Sequence, residues 1–132
     1  MRSSTSRWPK ALTVCDEVRK IPIEHTGFYP YIRQYLEAYA LEGYSDATTY
    51  RHESNIRQLA ARCEQRGIDQ PSQVTKPVLD RYRKHLYYLR KADGQPLSFT
   101  SQKAMLIAIK GFFRWLTQQN HLLYNPASER ET

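Results

Sequence analysis

The segment from Ser98 to Asn120 constrains the fold most, because its apolar and polar residues separate onto opposite faces of a helix. At about 100° per residue, one side collects the apolar residues, namely Met105, Leu106, Ile109, Phe112, Phe113 and Leu116. The opposite side collects Thr100, Lys103, Ile107, Lys110 and Arg114. The segment contains no acidic residue. The pattern predicts a helix that packs through one face and presents positive charge on the other.

Three further segments have the helical spacing of apolar residues. The first spans about residues 27–41. The second starts after the N-cap Ser45 and ends at Gly67, and the third follows the N-cap Thr75. The last helix is expected to be N-capped by Ser98 or Thr100. No segment shows the alternation of a β-strand. The chain is therefore predicted to be all-α, a small bundle of four helices, and a five-helix bundle is kept as an alternative.

Two details predict how these helices face one another. In the second helix, the inward stripe is expected to hold Thr48, His52, Ile56, Leu59 and Cys63, and the outward side Tyr50, Ser54, Arg57 and Ala61. In the last helix, Gly111 costs about 1 kcal/mol relative to alanine. We expect this cost to be offset by the close approach of another helix.

The domain limits are predicted from the ends of this periodicity. Residues 1–25 lack it and are expected to form a flexible leader, and residues 26–126 form the helical domain. Asn125-Pro126 marks the domain edge, so residues 127–132 are predicted to begin an interdomain linker.

The charge is basic and unevenly distributed. The chain has 20 Lys and Arg against 13 Asp and Glu, a net charge of +7. Between Thr75 and Gln119, nine basic residues face two acidic ones, so this segment matches the surplus of the whole chain. This asymmetry favours a polyanionic partner such as nucleic acid over an ordinary, mildly basic surface.

The sequence contains no pattern of catalytic or metal-binding residues. No histidine lies in an HExxH motif, and there is no glycine-rich phosphate loop or GxSxG motif. Cys15 and Cys63 are far apart, and Cys63 lies on an apolar stripe, which indicates a reducing, cytoplasmic setting. No apolar run is long enough for a transmembrane helix. We expect no metal, no cofactor, no small-molecule substrate and no membrane.

From about Phe28 to Pro126, the chain resembles the N-terminal core-binding (SAM-like) domain of tyrosine recombinases of the phage-integrase and Xer type. "YLEAYALEGYSDATTYRHESNIRQLAARCEQRGI" is similar to the first two helices of that family, and "QVTKPVLDRYRKHL" to the third. The strongest match is "LSFTSQKAMLIAIKGFFRWLTQQNHLLYNPA", with Ser98, Thr100, Leu106, Ile109, Phe112, Phe113, Trp115, Leu116, Asn125 and Pro126. His52 departs from the usual tyrosine and suggests a polar bond there.

The resemblance implies that this domain forms half of a clamp around double-stranded DNA, and that a C-terminal catalytic domain forms the other half. The His-x-x-Arg motif of that catalytic domain is missing, so we expect a non-enzymatic piece of a recombinase without catalytic residues. The second and fourth helices of the family domain face DNA. This implies DNA contacts by Thr49, Tyr50, Arg51, Arg57, Thr100, Ser101, Lys103, Lys110 and Arg114. Further recombinase protomers are expected as partners on DNA, through helix 1 and the segment after Leu116.

Several alternatives stay open on the sequence alone. The chain could be a stand-alone helical DNA-binding regulator or a helical protein-interaction module. Thr100 and Ser101 could cap the last helix instead of touching DNA, and the arginines of the second helix could pair with Glu53. Phe112, Phe113 and Trp115 are predicted to be helix contacts and not platforms for base stacking.

Overall fold

The computed structural model describes residues 22–127, which contain four α-helices. They are α1 (Tyr29–Leu41), α2 (Asp46–Gln65), α3 (Lys76–Tyr88) and α4 (Phe99–Gln118), and a short 3-10 helix (Pro71–Gln73) precedes α3. Within this range there is no strand, and one isolated antiparallel bridge joins Arg90 to Pro96 in the turn before α4. The prediction of an all-α four-helix bundle is confirmed.

Two serines begin the longest helices. The hydroxyl of Ser45 accepts a hydrogen bond from the backbone N–H of Thr48, and that of Ser98 accepts one from Ser101, both at 3.1 Å. These bonds satisfy backbone donors that have no partner inside the helix. Ser45 is thus confirmed as the N-cap of α2, and Ser98, instead of Thr100, is the N-cap of α4. Thr75 occupies the N-cap position of α3 without a side-chain bond.

α2 and α4 end in the same way. The residue after each C-cap has a positive φ, +82° at Gly67 and 64° at Asn120. The next N–H donates a hydrogen bond to the carbonyl five residues earlier, at 2.8 and 2.9 Å respectively. Glycine has no Cβ to oppose this conformation, and asparagine tolerates it better than most residues. The predicted end of the second helix at Gly67 is confirmed.

The core lies where α2 and α4 meet α1 and α3. The apolar stripe predicted for α4 is buried, apart from the half-buried Leu106. The largest fully buried side chains are Phe28, Phe112, Phe113, Ile23, Ile32, Ile56, Leu59, Leu86, Ile109, Leu116 and Pro126. Fully burying one such Leu, Ile or Phe side chain contributes about 1.5–3 kcal/mol. These contacts hold the opposite face of α4 in a fixed orientation towards solvent.

Three of the four residues that were expected on the outward side of α2 are buried, so this prediction is wrong for them. Ser54, Arg57 and Ala61 are buried, as are the predicted Ile56 and Cys63. α2 packs against both α1 and α4, so its buried surface is wider than the single stripe of a helix at the edge of a bundle. Periodicity located one contact surface and missed the second, because small and polar residues line it.

Gly111 lies against α1, as predicted. A Cβ atom built on Gly111 would lie 2.9 Å from the phenolic oxygen of Tyr35. The Tyr35 ring is held by Phe112 and Trp115, with centroid distances of 5.5 Å to each. The hydroxyl therefore has little room to move away from an added methyl group.

We expect Gly111→Ala to lower the free energy of unfolding by about 1 kcal/mol. Overpacking costs about 1–3 kcal/mol and outweighs the gain of about 1 kcal/mol in helix propensity. In a Tyr35→Phe background the obstructing oxygen is gone, so the same substitution should stabilise the protein by about 1 kcal/mol. Urea unfolding of the four proteins measures this coupling. An equal effect of Gly111→Ala in both backgrounds would contradict the close approach.

The segment before α1 packs onto the bundle. Ile23 is fully buried, and the Thr26 hydroxyl donates a hydrogen bond to the Ile23 carbonyl at 2.7 Å. Glu24 pairs with Arg57, and His25 pairs with Glu64. Residues 22–25, assigned to the leader on sequence grounds, therefore contact the helical body. The rest of the expected leader, residues 1–21, and residues 128–132 lie outside the described range.

Candidate nucleic-acid interface

The solvent-facing side of α4 carries positive charge along its length. We call Thr100, Lys103, Ile107, Lys110 and Arg114 the α4 basic face. All five residues are exposed, and α4 contains no acidic residue. The predicted separation of the two faces is confirmed by burial, so the helix can present three cations to a polyanion while its other side holds the bundle.

α3 adds two cations beside this face. An open groove of about 1010 Å³ runs between α3 and α4, and Arg83 and Lys84 line it together with Lys103 and Lys110. Asp80 also lines the groove and pairs with Lys76 at 3.7 Å. The sequence analysis did not assign Arg83 and Lys84 to the site. Their signal was the basic surplus between Thr75 and Gln119.

At the start of α2, Arg51 is exposed, whereas Thr49 and Tyr50 are half-buried. The Thr49 hydroxyl donates a hydrogen bond to the Ser45 carbonyl at 3.0 Å. Since phosphate oxygens only accept hydrogen bonds, Thr49 must rotate before its hydroxyl can serve one. Arg51 is therefore the group at this helix start that is best placed to meet a phosphate.

Arg57 lies inside the protein. Its side chain is 5% exposed, and its Nε donates a hydrogen bond to the buried Glu53 carboxylate at 3.0 Å. Its Nη2 donates another to Glu24 at 3.1 Å, and its guanidinium lies 5.7 Å from the centroid of the Tyr29 ring. Burial alone would lower the pKa of Arg57, but the two carboxylates outweigh it and raise that pKa. The alternative of pairing with Glu53 is the one found, and Arg57 does not join the α4 basic face.

Ser101 takes part in the cap of α4. The Ser98 hydroxyl donates to the Ser101 hydroxyl at 3.1 Å and also accepts from the Ser101 N–H. Thr100 and Ser101 are both exposed. Ser101 thus takes part in the cap of α4, and the exposed Thr100 belongs to the α4 basic face.

Two tyrosines of α1 pack against the neighbouring helices, Tyr35 against α4 and Tyr39 against α2. Burial raises the pKa of Tyr35 to about 12, and the charge of Arg114 opposes this shift. Next along α1, Tyr39 packs on the His52 ring at a centroid distance of 4.3 Å. Burial, followed by the charge of Arg51, lowers the pKa of His52. The Nδ1 atom of His52 is buried without a hydrogen-bond partner among the described residues, so this atom does not supply the polar bond suggested at His52.

Residues 22–127 contain no cluster of metal ligands and no exposed thiol. No group of three His, Cys, Asp or Glu residues in this range could hold a metal ion. Cys63 is buried, as predicted, and burial raises the pKa of its thiol to about 11. No helix in the same range combines the length and apolar character needed to cross a bilayer.

Comparison with known proteins identifies the same helical region. The family described as "Phage integrase, N-terminal SAM-like domain" matches residues 32–120. The chain is also 44% identical over 108 residues to tyrosine recombinase XerC 2 of Ralstonia nicotianae. The aligned residues cover 82% of this chain and 31% of that relative, so the chain spans about a third of the relative's length. No solved structure matches the chain. The matched residues include all of α2, α3 and α4, and the chain belongs to the phage integrase N-terminal SAM-like domain family of the tyrosine recombinases.

Proposed function

We propose that this chain is the DNA-binding core-binding domain of a site-specific tyrosine recombinase, gripping duplex DNA during integration and recombination. The observation that carries the proposal is the α4 basic face, three exposed cations on a helix without an acidic residue. Family membership supports the same role. In this proposal the domain supplies grip and register, and strand cleavage belongs to the catalytic domain of the recombinase.

The grip would be mainly electrostatic. Lys103, Lys110 and Arg114 from α4 and Arg51 from α2 are the exposed cations among the proposed contacts. Phosphate contacts supply affinity and orientation, whereas sequence choice requires contacts to base edges. Thr49, Tyr50, Thr100 and Ser101 complete the proposed contacts, and Arg57 supports them from inside the bundle.

The partners proposed for this domain are double-stranded DNA and further recombinase protomers. Beyond α4, Leu123 is fully exposed and Tyr124 is 54% exposed, and Leu41 at the end of α1 is 82% exposed. These apolar side chains lie in the two regions expected to touch neighbouring protomers. Such contacts would form on DNA, where two copies are held close together.

An NMR titration of labelled protein with a short duplex tests the proposal. We expect amide shifts at the start of α2 and along the α4 basic face, and these shifts should fade as salt rises. Four phosphate contacts predict a log–log salt slope of about −3.6, and two more from Arg83 and Lys84 would bring it to about −5.4. Absence of shifts at low salt, or shifts confined to α1, would favour a protein-interaction module instead.

A further inference from the structure

The groove between α3 and α4 has an unusual lining of exposed aromatic rings. Phe99 is 74% exposed, Tyr88 69% and Tyr87 52%, although each could gain free energy by burial. Leu106 and Ile107 continue this apolar surface along α4. Contiguous exposed apolar groups of this kind mark a binding surface more often than isolated ones do.

The rings are arranged so that a flat group can reach them. The centroids of Tyr87 and Phe99 are 6.4 Å apart with their planes inclined by 32°. The two rings are therefore neighbours at one end of the groove, and the exposed face of Phe99 stays open to a ligand. Tyr88 meets Tyr87 edge to face, with centroids 5.1 Å apart, so its own face is turned in a different direction.

Positive charge borders these rings. Four basic residues, Arg83, Lys84, Lys103 and Lys110, line the groove against the single acid Asp80. Lys103 and Lys110 are seven residues apart on α4, which places them about 10 Å apart along the axis. One short strand of nucleic acid could therefore contact both.

We infer that this groove binds single-stranded DNA, with bases stacked on Phe99 and Tyr88 and phosphates on the bordering lysines and Arg83. A basic groove with exposed aromatic rings is the arrangement that recognises single strands, because every base has a face that can stack. An intact duplex keeps its base faces stacked inside the double helix, so these faces are not accessible to the exposed rings. The site would hold a DNA strand whose bases are unpaired.

This inference rests in part on the proposed function, because Lys103, Ile107 and Lys110 belong to both surfaces. Arg114 and Thr100 belong to the α4 basic face and do not line the groove. Phe99 and Tyr88 line the groove and are not among the proposed duplex contacts. Substitutions at these two sets of residues can therefore separate the two kinds of binding.

The test measures the fluorescence anisotropy of a labelled twelve-nucleotide oligothymidine and, separately, of a labelled 20-base-pair duplex, each titrated with the 132-residue chain. Each ring substitution, Phe99→Ala or Tyr88→Ala, should weaken oligothymidine binding by about 5- to 150-fold. Duplex binding should change less than twofold. Arg114→Ala should show the opposite selectivity. The double substitution Leu123→Ala/Tyr124→Ala removes comparably exposed apolar groups elsewhere and should change neither.

Because both rings are exposed, the variants should retain the wild-type circular dichroism and melting temperature. Unchanged oligothymidine binding in both ring variants would overturn the inference, and a protein segment would then be the better candidate for the groove. If Arg114→Ala still weakened duplex binding in that case, the proposed function would stand. If the wild-type chain bound neither DNA, both the inference and the proposed function would be overturned.

Discussion

Replacing Arg57 with alanine is expected to lower the free energy of unfolding by about 3–5 kcal/mol. The substitution removes the cation that neutralises the buried Glu53 and also holds Glu24 against the bundle. A buried carboxylate deprived of its counter-charge costs far more than the lost hydrogen bonds. Since small domains are stable by only about 5–15 kcal/mol, a shift of this size should be plain in a urea unfolding curve.

A paired substitution separates the charge from the packing. Glu53→Leu combined with Arg57→Met removes both buried charges and keeps similar volume, so its stability should fall close to the wild type. Arg51→Ala, six residues earlier on the exposed side of α2, should change stability by less than about 0.5 kcal/mol. If Arg57→Ala proved as stable as the wild type and instead weakened DNA binding, Arg57 would be a surface contact and the buried network would be wrong.

Removing the three cations of the α4 basic face should cause the largest loss of DNA affinity. Each phosphate contact contributes a slope of about −0.9 on the log–log salt plot, so Lys103→Ala/Lys110→Ala/Arg114→Ala should reduce the slope by about 2.7. At about 0.1 M salt, this corresponds to a loss of roughly 500-fold in duplex affinity. Anisotropy titrations at several salt concentrations give both quantities. Stability should change little, because all three side chains are exposed.

A matched variant controls for net charge. Arg33, Arg66 and Arg81 are exposed cations that lie outside both the α4 basic face and the groove beside it. Replacing these three with alanine removes the same charge from the protein and should lower affinity by much less. Equal losses in the two triple variants would mean that overall charge, and no particular face, governs DNA binding.

Local sequence signals predicted the elements of this fold well. Ser45 and Ser98 precede helices because their hydroxyls satisfy the first backbone donors, and Gly67 ends one because it adopts a positive φ. The two faces of α4 were also predictable, because a helix at the edge of a bundle has one side in the core and one in water. Each of these features depends on residues within a few turns of one another.

The sequence by itself determined four helices, the N-cap of α2 at Ser45 and its end at Gly67, the apolar stripe that buries one side of α4 and the positive charge on its other side. Only the tertiary structure decided where the residues of α2 face, because α2 contacts two neighbouring helices and therefore buries Arg57 with Glu53 and Glu24. It also decided that Arg83 and Lys84 share a groove with Lys103, Lys110 and the exposed ring of Phe99. The physical reason is that periodicity along one helix reports which side is apolar, whereas the position of its neighbours depends on packing between residues distant in sequence.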